Sequence, residues 1–222
     1  MKPFALFVSI VFAAVFYGTS LIAQGETVTH TFSLPLTTTN WSDSVSVPKF
    51  DASLGTLDSV YFELGGGVQG TGEFESLDAA PATVLMNLQA LLTLNRPDNT
   101  IIVQTLPVFS TSDDVAAYDG TTDFGGTSGK TYADVTSTDL DSFISSATSD
   151  KSLFTGTGNI TLPVTSAGTS YGSGAGNLIV QFSTSASASV LVKYNYTPVP
   201  EPSTLALLSA AGMVVFAAFR RR

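Results

Sequence analysis

An antiparallel β-sandwich, all-β and in a single domain over residues 26–197, is the fold that three features of the chain predict. Apolar residues recur with a period of two rather than 3.6. Glycine, serine and threonine fill the spaces between the alternating runs, as turn signals do between strands. No segment between the two ends carries an amphipathic helical stripe. An apolar segment flanks the domain on each side, over residues 1–25 and 198–222.

The first segment reads as a secretory signal peptide. Lys2 supplies the positive start, residues 4–16 are almost wholly apolar, and small residues follow around Ala23 and Gly25. Cleavage after Gly25 puts Ala23 and Gly25 at the small-residue positions; cleavage after Ala23 is the alternative. No cysteine follows the hydrophobic stretch, which excludes a lipid-anchored lipoprotein. The chain has no cysteine at all, so an exported domain must hold together by its core, without the disulfides common in small secreted folds. A domain of ~150 residues already buries most of its unfolded surface, so length is sufficient.

Alternation then marks the strands in order. Val28, His30, Phe32 and Leu34 alternate with threonine and serine; so do Val60, Phe62 and Leu64, then Ile160, Leu162 and Val164, and last Val190, Val192, Tyr194 and Tyr196. This pattern puts one face in a core and the other in water. Before the second run, residues 50–57 read as a structural turn: Asp51 and Ser53 can bond neighbouring amides, Gly55 relaxes the backbone, and Phe50, Leu54 and Leu57 are expected to cap the core. Residues 83–94 and 101–108 are apolar without clean alternation. The first could be a helix or a buried strand; strand is preferred because Asn95, Pro97, Asp98 and Asn99 form a turn cluster leading into a β-branched run.

Charge narrows the function. Lys2, Arg220, Arg221 and Arg222 are four of the nine basic residues, which leaves five against all eighteen acidic ones between Glu26 and Pro202, a net charge of about −13. Such a surface disfavours nucleic acid and anionic lipid or polysaccharide unless divalent cations bridge. Catalytic signatures are missing: one histidine, His30, sits in an alternating strand, no Gly-x-Ser-x-Gly elbow occurs, and the Gly129-Lys130-Thr131 triplet has Phe124 where a phosphate loop needs glycine. Glu73 and Glu75 lie two apart on one strand face, read as solvent-facing, whereas a glycosidase needs acids opposed across a cleft. The chain is therefore expected not to be an enzyme. Calcium is the one cofactor with a candidate site. Asp113, Asp114, Asp119 and Asp123 fall within eleven residues beside Gly120, Gly125 and Gly126, and loop carboxylates suit that ion. The spacing is not that of an EF-hand, and a solvated loop with aspartates capping turns is the preferred alternative.

The second end segment orders three devices. Pro198, Pro200 and Pro202 form an extended stalk around Val199 and Glu201; residues 205–219 are apolar; Arg220, Arg221 and Arg222 close the segment and would stay cytoplasmic. A bilayer takes roughly 20 apolar residues to span comfortably, so the run is short for a permanent anchor. The order Val199-Pro200-Glu201-Pro202, apolar helix, arginine cluster resembles the PEP-CTERM sorting signal of Gram-negative bacteria. That resemblance implies an exosortase as processing protease, export across the inner membrane, membrane contact only through the unprocessed tail, and delivery to the cell surface or outside.

The central region is similar to the choice-of-anchor E domain family. The matching landmarks are Phe50 to Leu57 opening a strand, Tyr118-Asp119-Gly120-Thr121-Thr122-Asp123-Phe124, residues 126–131, Phe154-Thr155-Gly156-Thr157-Gly158 and a closing run from Val190 to Pro198. The family comprises surface or secreted bacterial domains and brings no catalytic residues. Two function classes follow: a non-enzymatic surface or matrix protein associated with exopolysaccharide or biofilm, and a module binding glycan or calcium through residues 113–126. A concave, aromatic-lined patch beside that loop would favour the second; a flat threonine and serine surface, the first. Threonine-rich edge strands without protecting lysines would also permit pairing between copies, up to a filament or lattice.

Overall fold

Alternation in the chain becomes two antiparallel sheets laid face to face. The computed structural model describes residues 25–199 together with Phe216 and Arg220, both helical. The signal-peptide segment with Ala23, and Pro200, Glu201, Pro202, Arg221 and Arg222 of the tail, lie outside the described residues. Among the described residues no helix is long and apolar enough to cross a membrane.

The described elements are β1 (Glu26–Thr38), β2 (Trp41–Pro48), β3 (Gly55–Ser76), β4 (Ala82–Asn95), β5 (Ile101–Thr105), β6 (Val108–Val115), β7 (Gly129–Ser145), α1 (Thr148–Phe154), β8 (Asn159–Gly168), β9 (Tyr171–Ser173) and β10 (Leu178–Pro198). One sheet has the order β1-β10-β3-β7. The other runs β2-β8-β4-β5, with β6 and β9 paired to the first half of β4. All strand pairings are antiparallel.

The inward rows are those the period of two predicts. Val60, Phe62, Leu64, Ile160, Leu162, Val164, Val190, Val192, Tyr194 and Tyr196 are all buried and meet across the interface with Leu92, Leu94, Val45 and Val47. Each such side chain stabilises the fold by roughly 1.5–3 kcal/mol on leaving water. Tyr194 brings a hydroxyl into this core and donates it to the Pro48 carbonyl at 2.8 Å. His30 is half-buried with its ring edge-on to Tyr194, centroids 5.8 Å apart, a packing role. Trp41 is also half-buried, donating its indole N–H to the Ala186 carbonyl at 3.2 Å. Two further clusters continue the core, one around Val68 and Leu88, the other around Phe74 and Met86. Both sheets and all three clusters lie within residues 26–199, so that segment carries the whole of the described core.

Residues 83–94 are a strand, as preferred. Alternation is blurred because β4 is central: β6 and β9 flank its first half and β8 and β5 its second, so Asn87, Thr93 and Asn95 are buried along with the leucines. The run 101–108 breaks at Leu106-Pro107 into β5 and β6. Leu54 corrects the expected core cap. Phe50 and Leu57 are buried, but Leu54 is 44% exposed. Its backbone is what matters: the Leu54 N–H donates to the Asp51 carbonyl, while the Ser53 N–H donates to the Asp51 carboxylate. A short helix, α1, is an addition. It inserts Phe154 into the core against Phe62, and its Asp150 receives two hydrogen bonds from Arg96.

β3 carries glycines that face side chains of the opposite sheet. A Cβ built on Gly66 would lie 2.8 Å from both Leu92 Cδ1 and Thr105 Cγ2, so the side chains of the opposite sheet occupy the volume this residue leaves free. Gly66→Leu is therefore expected to destabilise by about 2–3 kcal/mol through overpacking. A lowered urea midpoint with an unchanged slope would register it.

Candidate functional site

Two places carry the sequence-predicted residues, and they lie at opposite ends of the sandwich. At one end, which we call the base, Glu26 pairs with Tyr196 and Gly55 with Pro198, so the start of the domain and the start of the tail are neighbours. Gly55 is pressed against the Thr197 carbonyl and Pro198, leaving no room for a side chain. The Val199 N–H then donates to the Leu54 carbonyl at 3.1 Å. Pro198 has no N–H to offer and ends the β10 ladder, and Val199 is tied to the residues 50–57 turn. That turn is the tail's attachment point.

At the distal end, the connection between β6 and β7 folds over the end of β3. Its organiser is Glu75, whose strand position predicts a solvent-facing side chain. Glu75 is fully buried, a correction: the connection covers it, the Ser128 hydroxyl donating to Oε1 at 2.6 Å and the Phe124 N–H to Oε2 at 2.9 Å. Phe124 takes a left-handed backbone, φ 55°, to deliver that N–H. Gly129 lies so close to Oε2 that a Cβ there would collide with it. Glu73, two residues earlier, is only partly buried, so the two acids share a strand face but not an environment. The available signal was the length of the Gly- and Asp-rich connection, which needs an internal anchor.

The four aspartates divide into two pairs. Asp113 and Asp114 sit on strand β6, not in the loop. Asp113 is ion-paired with Lys130 and accepts from Tyr132 Oη at 2.6 Å and Thr111 Oγ1 at 3.2 Å. Burial pushes its pKa up, but these donors and the Lys130 charge outweigh it, and the net direction is down. Asp114 accepts the Thr83 hydroxyl at 2.6 Å. Asp119 takes the N–H groups of Thr121 and Thr127, and Asp123 that of Gly125. Asp78, outside that group, does the same for Gly176 and Asn177 at 2.7 and 2.8 Å. Each carboxylate is thus engaged locally. Among the described residues no group of three or more His, Asp or Glu side chains converges as a metal cage would.

Concavity lies elsewhere. A depression of about 670 Å³ runs along the outer face of the β1-β10-β3-β7 sheet, floored by Gly65, Gly67, Ser187 and Ser189 and walled by Leu140. It crosses the four strands near the middle of the sheet, and no aromatic ring lines it.

Residues 198–222 match the PEP-CTERM protein-sorting motif. The motif indicates export, processing by an exosortase and an envelope or surface location. The PEP-CTERM match begins at Pro198, the residue where the β10 ladder ends, so the boundary between sandwich and signal falls at the base. It does not extend into the sandwich. No curated protein matches the chain. Solved structures similar to the chain include chains of two viruses. Infectious bursal disease virus VP2 in a subviral particle is 14% identical, with 86% of this chain and 47% of that chain covered and a TM-score of 0.22; the T13 particle of the same virus gives 13%, 87%, 45% and 0.22. A Desmodium yellow mottle tymovirus chain gives 11% identity, 91% and 97% coverage and a TM-score of 0.22. This chain thus spans less than half the length of the bursal-virus proteins, and likenesses at this level carry no argument about its role.

Proposed function

We propose that the mature protein is a non-enzymatic component of the cell surface or extracellular matrix, a choice-of-anchor E-like sandwich released or attached through exosortase processing and associated with secreted polysaccharide. The PEP-CTERM match over residues 198–222 carries this reading. Two features of the sandwich support it. The tail leaves at the base beside Glu26, so one processed end holds the domain and the other end is free to face outward. The hollow in the middle of the outer face of the four-stranded sheet is lined mainly by glycine and serine rather than by convergent acids and bases.

The test replaces Pro200, Glu201 and Pro202 by alanine in the full chain, expressed in a host with its exosortase. The unaltered protein is expected as a shortened form at the surface or in the medium, bound to the polysaccharide fraction. The variant should keep its tail and stay with the inner membrane. Equal processing of both would remove the sorting reading; surface delivery without polysaccharide retention would remove the matrix role alone.

A further inference from the structure

The edges of the two sheets are not equally protected. An edge strand leaves alternate backbone N–H and C=O groups unpaired, and natural sheets guard such edges with charge, bulges or shortness. β7 carries Asp139 and Asp141, and a bulge beside Asp134, whose φ is 53°. β6 ends in two aspartates, β5 has five residues, β9 has three, and β2 carries Asp43. β1 lacks these guards along most of its length. It is 13 residues long, pairs only with β10 among the described residues, and contains no Asp, Glu, Lys or Arg after Glu26. Its two guards, Pro35 and a bulge between Leu34 and Thr37, sit towards one end and leave residues 26–34 as a continuous open edge.

We propose that this edge pairs antiparallel with β1 of a second copy, joining two four-stranded sheets into one of eight strands across a two-fold axis. The edge's own self-complementarity selects the occupant. Copies at about −13 repel in general, but β1 adds no carboxylate after Glu26, so the pairing row itself is uncharged. Antiparallel pairing puts the two copies of Glu26 at opposite ends. Centred on Thr31, it sets Thr29 against Ser33 on the outer row, where cross-strand hydroxyl pairs are favourable. On the inner row it sets Val28 against Leu34. Val28, Phe32 and Leu34 pack on the core while remaining only partly buried, and the partner strand completes their cover. Because each molecule offers one such edge, assembly closes at two copies and does not grow into the filament that threonine-rich edges alone would permit.

The experiment measures the mass of residues 26–199 by light scattering across a dilution series, beside two variants. The unaltered protein is expected to be a dimer. Thr29→Lys/Ser33→Lys, at exposed positions on the outer row, brings four ammonium groups together across the axis and should give a monomer with an unchanged circular dichroism spectrum. Thr138→Lys, on the β7 edge, should remain a dimer. Amide exchange in residues 26–34 should slow with rising concentration only where dimer forms. A monomer at every concentration, oligomers larger than two, or a dimer that survives the double substitution would each overturn the proposal.

Discussion

Arg96→Ala is expected to lower the melting temperature by roughly 6–12 °C, the equivalent of about 3 kcal/mol in a domain of this size. Arg96 Nε and Nη2 each donate to one Asp150 oxygen at 2.8 Å, while Nη1 donates to the Ile101 carbonyl at 2.9 Å. One guanidinium thus fastens α1 to the turn between β4 and β5. Asp150 is buried, and removing its partner strands a carboxylate in a place water hardly reaches. pH separates this cause from lost packing. The hydrogen bonds from Arg96 hold the Asp150 pKa below its ordinary value, against the opposing effect of burial. A carboxylate with a depressed folded pKa contributes stability that is complete above its unfolded value, about 3.9, and is lost as pH falls through the folded one. The unaltered protein should therefore lose this contribution in acid, and the gap to Arg96→Ala should narrow between pH 7 and pH 3. A gap independent of pH, measured by urea unfolding at both, would rule out the ionic cause.

Glu75→Ala is expected to cost about 3 kcal/mol and to loosen the connection between β6 and β7. The substitution leaves the Phe124 N–H and the Ser128 hydroxyl without acceptors, and an orphaned buried donor costs about 1–3 kcal/mol. It also withdraws the bond that holds Phe124 in its left-handed conformation. Glu75→Gln keeps one carbonyl acceptor and should recover part of the loss. Amide exchange should accelerate across residues 116–129 and remain slow in the partnered core of β3 and β10. Uniform acceleration over the whole sandwich would mean that Glu75 supports the global fold and not the connection.

The sequence shows the strands more plainly than the devices that hold them. A half-buried strand must alternate, so Val60-Phe62-Leu64 and Ile160-Leu162-Val164 declare both their structure and their inward face. β4 is harder, because strands on both sides bury its polar positions as well. Glu75 could not be placed from its own strand, since its burial comes from a connection some fifty residues later that folds over it. α1 offers too few residues for a helical period to emerge, and its place is set by Phe154 and the Arg96 bond. The tail is the opposite case. Its meaning rests on the order of proline, apolar run and arginine, which needs no tertiary contact to be legible. The aspartates from Asp113 to Asp123 looked like one group by spacing; strand β6 takes the first two, and turn amides occupy the rest.

β3 and β10 lie side by side from Leu178 beside Ser76 to Pro198 beside Gly55, with one register shift between Asn195 and Tyr196. At about 3.3 Å per residue, the 22 residues of β3 amount to roughly 70 Å of strand. A load applied between the tail at the base and anything gripping the distal end would pull along these two strands. Their hydrogen bonds lie across that direction, so tension would shear many of them together instead of unzipping them singly. Forced unfolding is governed by the height of the unfolding barrier, and this arrangement raises it for pulling along the strands. Held by its tail, such a domain would resist a pull along its strands better than one across them.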